Sequence, residues 1–402
     1  MEQFFTFHQT TIGHRHIKEH TLCEDASFSL TDTENGFAMA AAADGHGSAI
    51  YCRSRFGSAF AVQAAQAVFT DFARKCADQP ETRSELFRDA ETTRQTARQI
   101  TDAILRHWHA AVKQHLSEHP VQDEELETMP RKFAMLFKNG EDTATMYGTT
   151  LIAALRLEDY LILVQQGDGR CVVFYRDGSL NQPIPWDPLC IGTLTTSLCE
   201  DNAEEHFRSH VISLKEEPVS AVFLGTDGVE DSFRSMDDMH IFYMKLLRYL
   251  QVHPEMFNDE LAMLLPKLTR SGSQDDISVS GIVSMNDLPA LLDKFRKYIS
   301  KFNRKDQEDK HKKKIDMMRP VHDHLKTDLH HCELAVLEKT AAKLGKGTPL
   351  TREALEAVIR KADPRLTETC FDCIEARINF EGYHKRYLEV LAQGQKPEEQ
   401  QK

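Results

Sequence analysis

Residues 36–47 read GFAMAAAADGHG, and residues 219–228 read VSAVFLGTDG. Both are apolar runs of strand length that end in an aspartate followed by glycine, Asp44 in the first and Asp227 in the second. Glycine at such a position lets the backbone turn and come close to a bound group. A single Asp-Gly pair indicates only a turn, so the weight of the pattern depends on its recurrence.

The pattern recurs elsewhere in the first 284 residues. QGDGR places Asp168 after the apolar run YLILV, SQDDIS places Asp275 before another apolar run, and Glu24 and Asp25 form a further carboxylate pair. Hard cations such as Mg²⁺ and Mn²⁺ prefer oxygen ligands. Carboxylates at the ends of strands in a rigid sheet therefore predict a metal centre.

The regular elements are predicted from periodicity and composition. Strands are predicted over residues 36–45, 149–157, 160–169, 171–180, 219–228 and 276–284. Helices are predicted over residues 49–76 and about 91–118, and an amphipathic helix from Leu288 that continues through a charged stretch at 301–314. The acidic segment 119–146 is predicted to be a surface excursion.

The bulk composition is typical of a globular enzyme. The chain has 402 residues, of which 41% are hydrophobic and 28% charged, with a formal net charge of -13. This charge argues against a nucleic-acid partner, and no apolar run approaches the ~20 residues that span a bilayer. The N-terminus lacks a secretory pattern. Nine scattered cysteines suit reduced thiols, so a cytoplasmic location with no membrane partner is predicted.

Two units are predicted, residues 1–284 and residues 285–402. The first carries a charge of about -17 and the second about +4, a difference that suggests separate functions. The second unit is predicted to be a helical extension. It has four possible roles: it docks a substrate, binds a partner kinase, holds a flap near the site, or stabilises the fold. Docking of a substrate or partner is favoured.

The second unit also raises a zinc hypothesis. Cys370 and Cys373 have Cys-x-x-Cys spacing, and Cys332 follows two histidines. A structural zinc site needs four converging ligands. Because Cys370, Cys373 and Ile378 also have helical spacing, a buried apolar helix face is the favoured interpretation.

Taken together, the aspartate segments resemble the PPM family of metal-dependent serine/threonine phosphatases, the type 2C class. The matching motifs are Glu24-Asp25, DGHG at 44–47, GTT at 148–150, GDGR at 167–170, TDGVED at 226–231 and DDIS at 275–278. The resemblance covers residues 1–284. It implies an α+β fold, an α-β-β-α sandwich of two antiparallel sheets flanked by helices, and a metal-dependent hydrolysis of phosphoserine and phosphothreonine.

The resemblance also implies a ligand set for two or three divalent cations, Mn²⁺ or Mg²⁺. Asp44 bridges two of them, with the Gly45 carbonyl on one, and the remaining positions are Asp227 and Asp275 at the dinuclear site, Glu24 and Asp25 acting through water, and Asp168 and Asp231 at a third site. Two such metals can deprotonate a bridging water, which attacks the phosphorus in line.

Proton donation and phosphate binding are assigned less directly. His46, beside Asp44, is the candidate general acid for the leaving alkoxide, the alternative being a turn histidine that only bonds its neighbours. Many family members carry a phosphate-gripping arginine four residues before the position of Glu24, where this chain has His20. Arg15 is a candidate replacement, and His16 or His20 offers a weaker contact.

Three functions are compatible with these residues. The first is an active phosphoprotein phosphatase, whose partners are a phosphorylated protein substrate and a cognate serine/threonine kinase. The second is a pseudophosphatase, a module that binds a phosphoprotein without turnover, which the substitution at His20 favours. The third is an esterase for small phosphorylated molecules. The complete set of acidic motifs favours the first.

Overall fold

The computed structural model of the chain describes residues 3–192, 194–343, 357 and 364–393. The chain divides into two compact units, Met1–Arg296 and Lys297–Lys402. The helix predicted from Leu288 is present, and its first turns belong to the first unit, where Leu291 and Phe295 are buried. The compact first unit therefore extends beyond residue 284.

The described residues form two five-stranded antiparallel sheets. The first sheet contains, in spatial order, Phe4–Thr11 (β1), Ile277–Ser284 (β10), Val219–Gly225 (β9), Arg170–Tyr175 (β6) and Leu180–Asn181 (β7). The second contains Ala26–Asp32 (β2), Phe37–Ala43 (β3), Leu151–Arg156 (β4), Tyr160–Gln166 (β5) and Arg208–Ser213 (β8). The predicted α+β sandwich is confirmed.

Helices flank the sheets and make up the described part of the second unit. They are His14–Glu19 (α1), Ser54–Asp78 (α2), Pro80–Leu86 (α3), Ala90–Glu118 (α4), Asp123–Leu126 (α5), Arg131–Lys138 (α6), Ala203–His206 (α7), Asp227–Glu230 (α8), Met236–Val252 (α9), Phe257–Ser271 (α10), Leu288–Lys343 (α11) and Pro364–Gln393 (α12). None of the described helices is long and apolar enough to cross a membrane.

The alternation of side chains along β3 explains the layers. Ala38, Ala40 and Ala42 join the core between the two sheets, whereas Phe37 and Met39 join the core beneath α2 and α4. Successive strand residues point to opposite faces, and small residues on the inner face let the sheets pack closely. A strand buried on both sides reads as a continuous apolar run, which is why the sequence pattern was so clear.

The outer face of the first sheet is covered by α9 and α10 through aromatic contacts. The ring of Phe7 lies 5.3 Å from that of Phe223 and 5.0 Å from that of Phe257. The ring of Tyr243 in α9 stacks on Phe223 at 4.3 Å. Such pairs bury large apolar areas in defined geometry.

Strand directions bring the acidic segments to one edge of the sandwich, the edge that the ends of the strands form. In the second sheet Ala26 pairs with Ala43, so the start of β2 lies beside the end of β3. In the first sheet Gly225, at the end of β9, pairs with Arg170 at the start of β6 and with Val279 near the start of β10. The chain segments before β2 and β10 and after β3 and β9 therefore emerge on the same side of their own sheets.

Several predictions need correction. Strands β1, β2 and β8 were not predicted, because their alternating and polar residues lack a continuous apolar run. The segment 119–146 is not merely a surface excursion, since it contains α5 and α6 and buries Phe137 completely.

The second unit consists, in its described part, of α11 from Lys297 onward and α12. These helices contact each other through a salt bridge between Arg377 and Glu333 at 2.7 Å and a hydrogen bond between the rings of His322 and His384 at 2.9 Å. The predicted helix across Cys373 is present, but its face is not a buried apolar one, because Ile378 is 65% exposed. The side chain of Cys370 lies outside the described residues.

Candidate active site

Four of the predicted ligands gather at this edge: Asp25, Asp44, Asp168 and Asp227. The negative charges of the other three act on Asp44, and those of Asp168, Asp275 and Asp231 act on Asp227. Each of the four side chains keeps part of its surface accessible to solvent. Among the described residues, Asp25, Asp44 and Asp227 have no basic side chain as a partner, so the cluster carries uncompensated negative charge.

The pKa values of these aspartates reflect their burial and the repulsion between their negative charges. Burial, and then the neighbouring carboxylates, raise the pKa values of Asp25 and Asp44 well above the ordinary value. Burial likewise raises the pKa of Asp227 to about 6. The side chains of Asp44 and Asp227 interact directly with each other. A bound divalent cation would relieve the repulsion among these carboxylates.

The GTT motif holds the loop that carries Asp44. The Asp44 amide donates to Thr150 Oγ1 at 3.0 Å, and the Thr150 amide donates to the Asp44 carbonyl at 2.8 Å. Thr149 Oγ1 donates to the same carbonyl at 2.8 Å. The Gly45 amide donates to the Glu24 carbonyl at 3.2 Å. These bonds fix the direction in which the Asp44 side chain leaves the strand.

Asp276 organises the N-terminal side of the site. Its carboxylate accepts hydrogen bonds from the amides of Gly13 at 2.6 Å and Glu24 at 2.7 Å, and contacts His16 Nδ1 at 2.9 Å. Burial acts to raise its pKa, but these bonds outweigh burial and lower it. Glu24 is further held by Ser54 Oγ at 3.1 Å, and burial raises its pKa to about 7.

The segment around α8 is locked to both sheets. Thr226 Oγ1 donates to Asp25 Oδ2 at 2.9 Å and accepts from the Ser278 amide at 3.0 Å. A side chain on Gly228 would collide with the Asp276 carbonyl oxygen. In the TDG triplet, the threonine therefore links Asp25 to Ser278, and the glycine allows close packing against the Asp276 carbonyl. The aspartate between them is left to face the cluster.

The outer ligand candidates are more exposed. Asp231 follows α8, is exposed, and its charge acts on Asp168 and Asp227. Asp275 is partly exposed and contacts Arg15, whose Nη2 lies 3.2 Å and 3.1 Å from its two carboxylate oxygens. The guanidinium of Arg15 thus lies at the edge of the cluster, next to Asp275.

The two histidines predicted for the site differ in setting. His46 follows the Asp44 loop, its ring lies 4.7 Å from that of Tyr51, and burial lowers its pKa to about 4. His20 is exposed at the end of α1 in a left-handed backbone conformation, φ 58°. Within the described residues the His20 side chain makes no hydrogen bond or ion pair.

The sequence pattern of the family described as Protein phosphatase 2C matches residues 12–265. This match covers more than half of the chain and includes the site residues from Arg15 to Asp231. The chain belongs to the protein phosphatase 2C family. It is therefore a protein-serine/threonine phosphatase by family. Asp275 and Asp276 lie beyond the matched range.

Solved structures similar to this phosphatase 2C chain include bacterial phosphatases. The catalytic domain of serine threonine protein phosphatase PstP, in complex with two manganese ions, is 19% identical, with 70% of this chain and 97% of that chain covered and a TM-score of 0.40. The S. agalactiae serine/threonine phosphatase is 16% identical, with 70% of this chain and 99% of that chain covered and a TM-score of 0.41. No curated protein matches the chain.

The donor chemistry of this phosphatase 2C site fits hard cations. The cluster offers only carboxylate and carbonyl oxygens, and it is negative without basic partners at Asp25, Asp44 and Asp227. Among the described residues, however, no three His, Cys, Asp or Glu side chains converge as the ligands of one assembled metal centre. The carboxylates are thus gathered at one edge of the sandwich.

Sequence reasoning missed two groups of this phosphatase 2C site. Asp276 belongs to the DDIS motif, from which the sequence pattern predicts a role only for its neighbour Asp275. Arg170 was quoted in GDGR, yet its contacts with Glu230 and the Trp186 ring were not foreseen. Successive residues of an extended segment point to opposite sides, so the doubled aspartate is a signal that the two side chains have different partners.

Proposed function

We propose that this chain is a metal-dependent phosphoprotein phosphatase that hydrolyses phosphoserine and phosphothreonine. The observation that carries the proposal is the cluster of Asp25, Asp44, Asp168 and Asp227 at one edge, negative and largely without basic partners. Buried like charges are costly unless a cation or a proton compensates them. Membership of the phosphatase 2C family supports the same reading.

Each carboxylate has a distinct task in this proposal. Asp44, the Gly45 carbonyl, Asp227 and Asp275 hold two cations, Glu24 and Asp25 position water, and Asp168 and Asp231 hold a weaker third cation. Bound Mn²⁺ or Mg²⁺ supplies an activated water and neutralises charge on the phosphoryl group. The manganese in the PstP structure supports this choice of metal.

Arg15 is proposed to bind the substrate phosphate. Its guanidinium already lies at the edge of the cluster, on Asp275. The planar fork of donors on a guanidinium is suited to phosphoryl oxygens, and with Asp275 as a metal ligand the guanidinium would be available to bind one. In the described part of the chain the His20 side chain has no hydrogen bond or ion pair that directs it toward the cluster, so Arg15 is the better candidate.

The first test is phosphate release from a phosphothreonine peptide by the purified chain. We expect release with Mn²⁺, loss of release with EDTA, and loss with Asp227→Asn. Release that persists in EDTA contradicts the metal-dependent mechanism. Release from small phosphate esters without release from a phosphopeptide would assign the chain to small substrates instead.

One observation favours the alternative of a pseudophosphatase. The family's phosphate-gripping position holds His20, and Arg15 is engaged with Asp275. A folded chain that binds a phosphothreonine peptide in Mn²⁺ yet releases no phosphate would establish the binding module. Fluorescence anisotropy of a labelled phosphopeptide, with its unphosphorylated form as the control, measures that binding.

The partners follow from the reaction. A phosphorylated protein is the proposed substrate, and a serine/threonine kinase that phosphorylates it is the proposed counterpart. The described cysteines are free thiols, which supports the proposed cytoplasmic location.

A further inference from the structure

Arg170 occupies a junction between the candidate metal ligands and a loop outside them. It is the first residue of β6 and pairs in register with Gly225, two residues before Asp227. One edge of its guanidinium contacts both carboxylate oxygens of Glu230, Nε to Oε2 at 2.5 Å and Nη2 to Oε1 at 3.0 Å. Glu230 lies in the short stretch between Asp227 and Asp231, so this ion pair holds the segment that carries both ligands.

The same guanidinium uses its face for a second contact. The Arg170 Cζ atom lies 3.9 Å from the centroid of the Trp186 ring. A planar guanidinium can bond a carboxylate with its edge and stack on an aromatic ring with its face at the same time, which an ammonium group cannot do. The Arg170 side chain is 15% exposed, so the guanidinium itself is largely shielded from solvent.

Trp186 belongs to a segment, residues 182–192, that a second arginine holds independently. Arg208 donates to the Pro185 carbonyl at 2.7 Å, pairs with Asp187 at 3.6 Å, and donates to the Gly167 carbonyl. Arg208 therefore attaches the backbone of this segment to the turn before Asp168. Arg170 attaches its indole ring to the segment with Glu230.

We propose that Arg170 is a positioning residue that couples the Asp227–Asp231 segment to Trp186, so that cation binding at the carboxylates changes the environment of the Trp186 ring. The proposal rests on the proposed metal-binding function. It follows from one rigid group that bonds Glu230 on one side and the indole on the other. A change in the direction of Glu230 moves the guanidinium plane and, with it, the stacked ring.

The two tryptophans of the chain make the coupling observable. Trp108 is fully buried, whereas Trp186 is 49% exposed. The difference in emission between wild type and Trp186→Phe isolates Trp186. We expect Mg²⁺, which does not itself quench fluorescence, to shift this emission in the wild type and to leave Trp186→Phe unchanged.

Arg170→Lys is the decisive variant because lysine keeps the positive charge but lacks the planar guanidinium group. We expect Trp186 to become more accessible to acrylamide without any metal, and its emission to stop responding to Mg²⁺. We also expect the Mg²⁺ concentration at half saturation, measured by calorimetry, to rise about 10- to 100-fold, since partners that orient ligating carboxylates have effects of that size. Trp186→Ala should raise it by about two- to fivefold, the worth of the stacking contact.

Arg176→Gln is the matched control. It removes an Arg–Asp ion pair, with Asp287, at the far end of the same strand, and should leave Mg²⁺ affinity and Trp186 emission as in the wild type. Circular dichroism and thermal unfolding confirm that each variant is folded. If Arg170→Lys does not fold, the Mg²⁺ titration of Trp186→Ala tests the proposal instead, because an unchanged Mg²⁺ affinity in that variant would contradict it.

Three results would overturn the proposal. They are Mg²⁺ binding by the wild type without a change in Trp186 emission, an unchanged Mg²⁺ affinity in Arg170→Lys, and an equal loss of affinity in Arg176→Gln. Failure of the proposed function has a different signature. If Mg²⁺ shifts Trp186 and Arg170→Lys abolishes the shift, but no phosphopeptide is hydrolysed, the coupling stands and the catalytic proposal falls.

Discussion

At the scale of single residues, His46 poses the sharpest question about chemistry. Burial lowers its pKa to about 4, so the ring is neutral at neutral pH in the cation-free protein. A general acid must carry a proton that it can give up. For His46 to act as one, a bound phosphate must supply the negative charge that favours the imidazolium.

We predict that His46→Gln separates substrates by their leaving groups. A serine or threonine alkoxide needs a proton, so phosphopeptide turnover should fall about 10²- to 10⁴-fold. An aryl phosphate leaves as a stable phenolate, so its turnover should change little. Steady-state kinetics with both substrates measures the contrast. An equal fall for both would leave His46 as a turn histidine that shapes the Asp44 loop.

We predict that Arg15→Gln raises the KM for a phosphopeptide about 10- to 100-fold, the worth of charge-assisted hydrogen bonds to phosphate. Because the variant also frees Asp275 of its partner, Mn²⁺ affinity should increase. Lys18→Gln, on the exposed face of the same helix, is the control. A higher KM together with weaker Mn²⁺ binding would indicate that Arg15 supports Asp275 rather than the phosphate.

At the scale of elements, burial on both faces decides what the sequence reveals. Continuous apolar runs such as FAMAAAA predict β3 correctly, and β4, β5, β9 and β10 follow the same rule. Strand β2 has partly exposed residues throughout, and its pattern ASFSLTD is too polar to stand out. Most of the acidic motifs were found because they lie at the end or the start of a buried strand, whereas Glu24-Asp25 precede the partly exposed β2.

The segment 119–146 shows why a polar composition misleads. Arg53 is 4% exposed and bonds both carboxylate oxygens of Glu125 in α5, at 2.8 Å and 2.7 Å, as well as the Tyr147 hydroxyl at 2.8 Å. One buried guanidinium thus ties this segment to the start of α2. The periodicity of the sequence gives no indication of a long-range pair such as Arg53 and Glu125.

We predict that Glu125→Gln lowers the free energy of unfolding by about 1–3 kcal/mol, because it leaves donors of a buried guanidinium unsatisfied. Burial acts to raise the pKa of Glu125, but the Arg53 bonds outweigh it and lower the pKa. The contribution is therefore complete at neutral pH and is lost as the pH falls through the folded-state pKa. Urea unfolding at neutral and acidic pH measures this, with the neighbouring Glu124→Gln as the control. An equal difference at both pH values would contradict the ionic origin.

At the scale of the whole molecule, repulsion between the site carboxylates lowers the free energy of unfolding, and a bound cation raises it. The carboxylates of Asp25, Asp44 and Asp227 repel one another in the cation-free fold. A ligand that binds only the folded state stabilises it by mass action.

We predict opposite effects of Asp227→Asn in the two conditions. In EDTA the variant should unfold at a higher temperature than the wild type, because one of the repelling charges is gone. With Mg²⁺ at ~100-fold above its dissociation constant, the wild type should gain about 3 kcal/mol and the variant much less. Asp71→Asn, a carboxylate on α2 away from the cluster, should behave as the wild type in both. A variant that is less stable in EDTA would show that Asp227 is not under repulsion.

The boundary between the two units gives the last prediction. The helix α11 begins at Leu288, and Leu288, Leu291, Leu292 and Phe295 are buried within the first unit. Burial of each such side chain stabilises a fold by about 1.5–3 kcal/mol. A chain that stops after residue 296 should therefore fold and keep metal-dependent hydrolysis of an aryl phosphate, whereas one that stops after residue 284 should unfold at a much lower temperature. If the longer fragment loses turnover of a phosphoprotein but not of the aryl phosphate, residues 297–402 dock the substrate. Equal stability of the two fragments would show that the first turns of α11 are not part of the catalytic core.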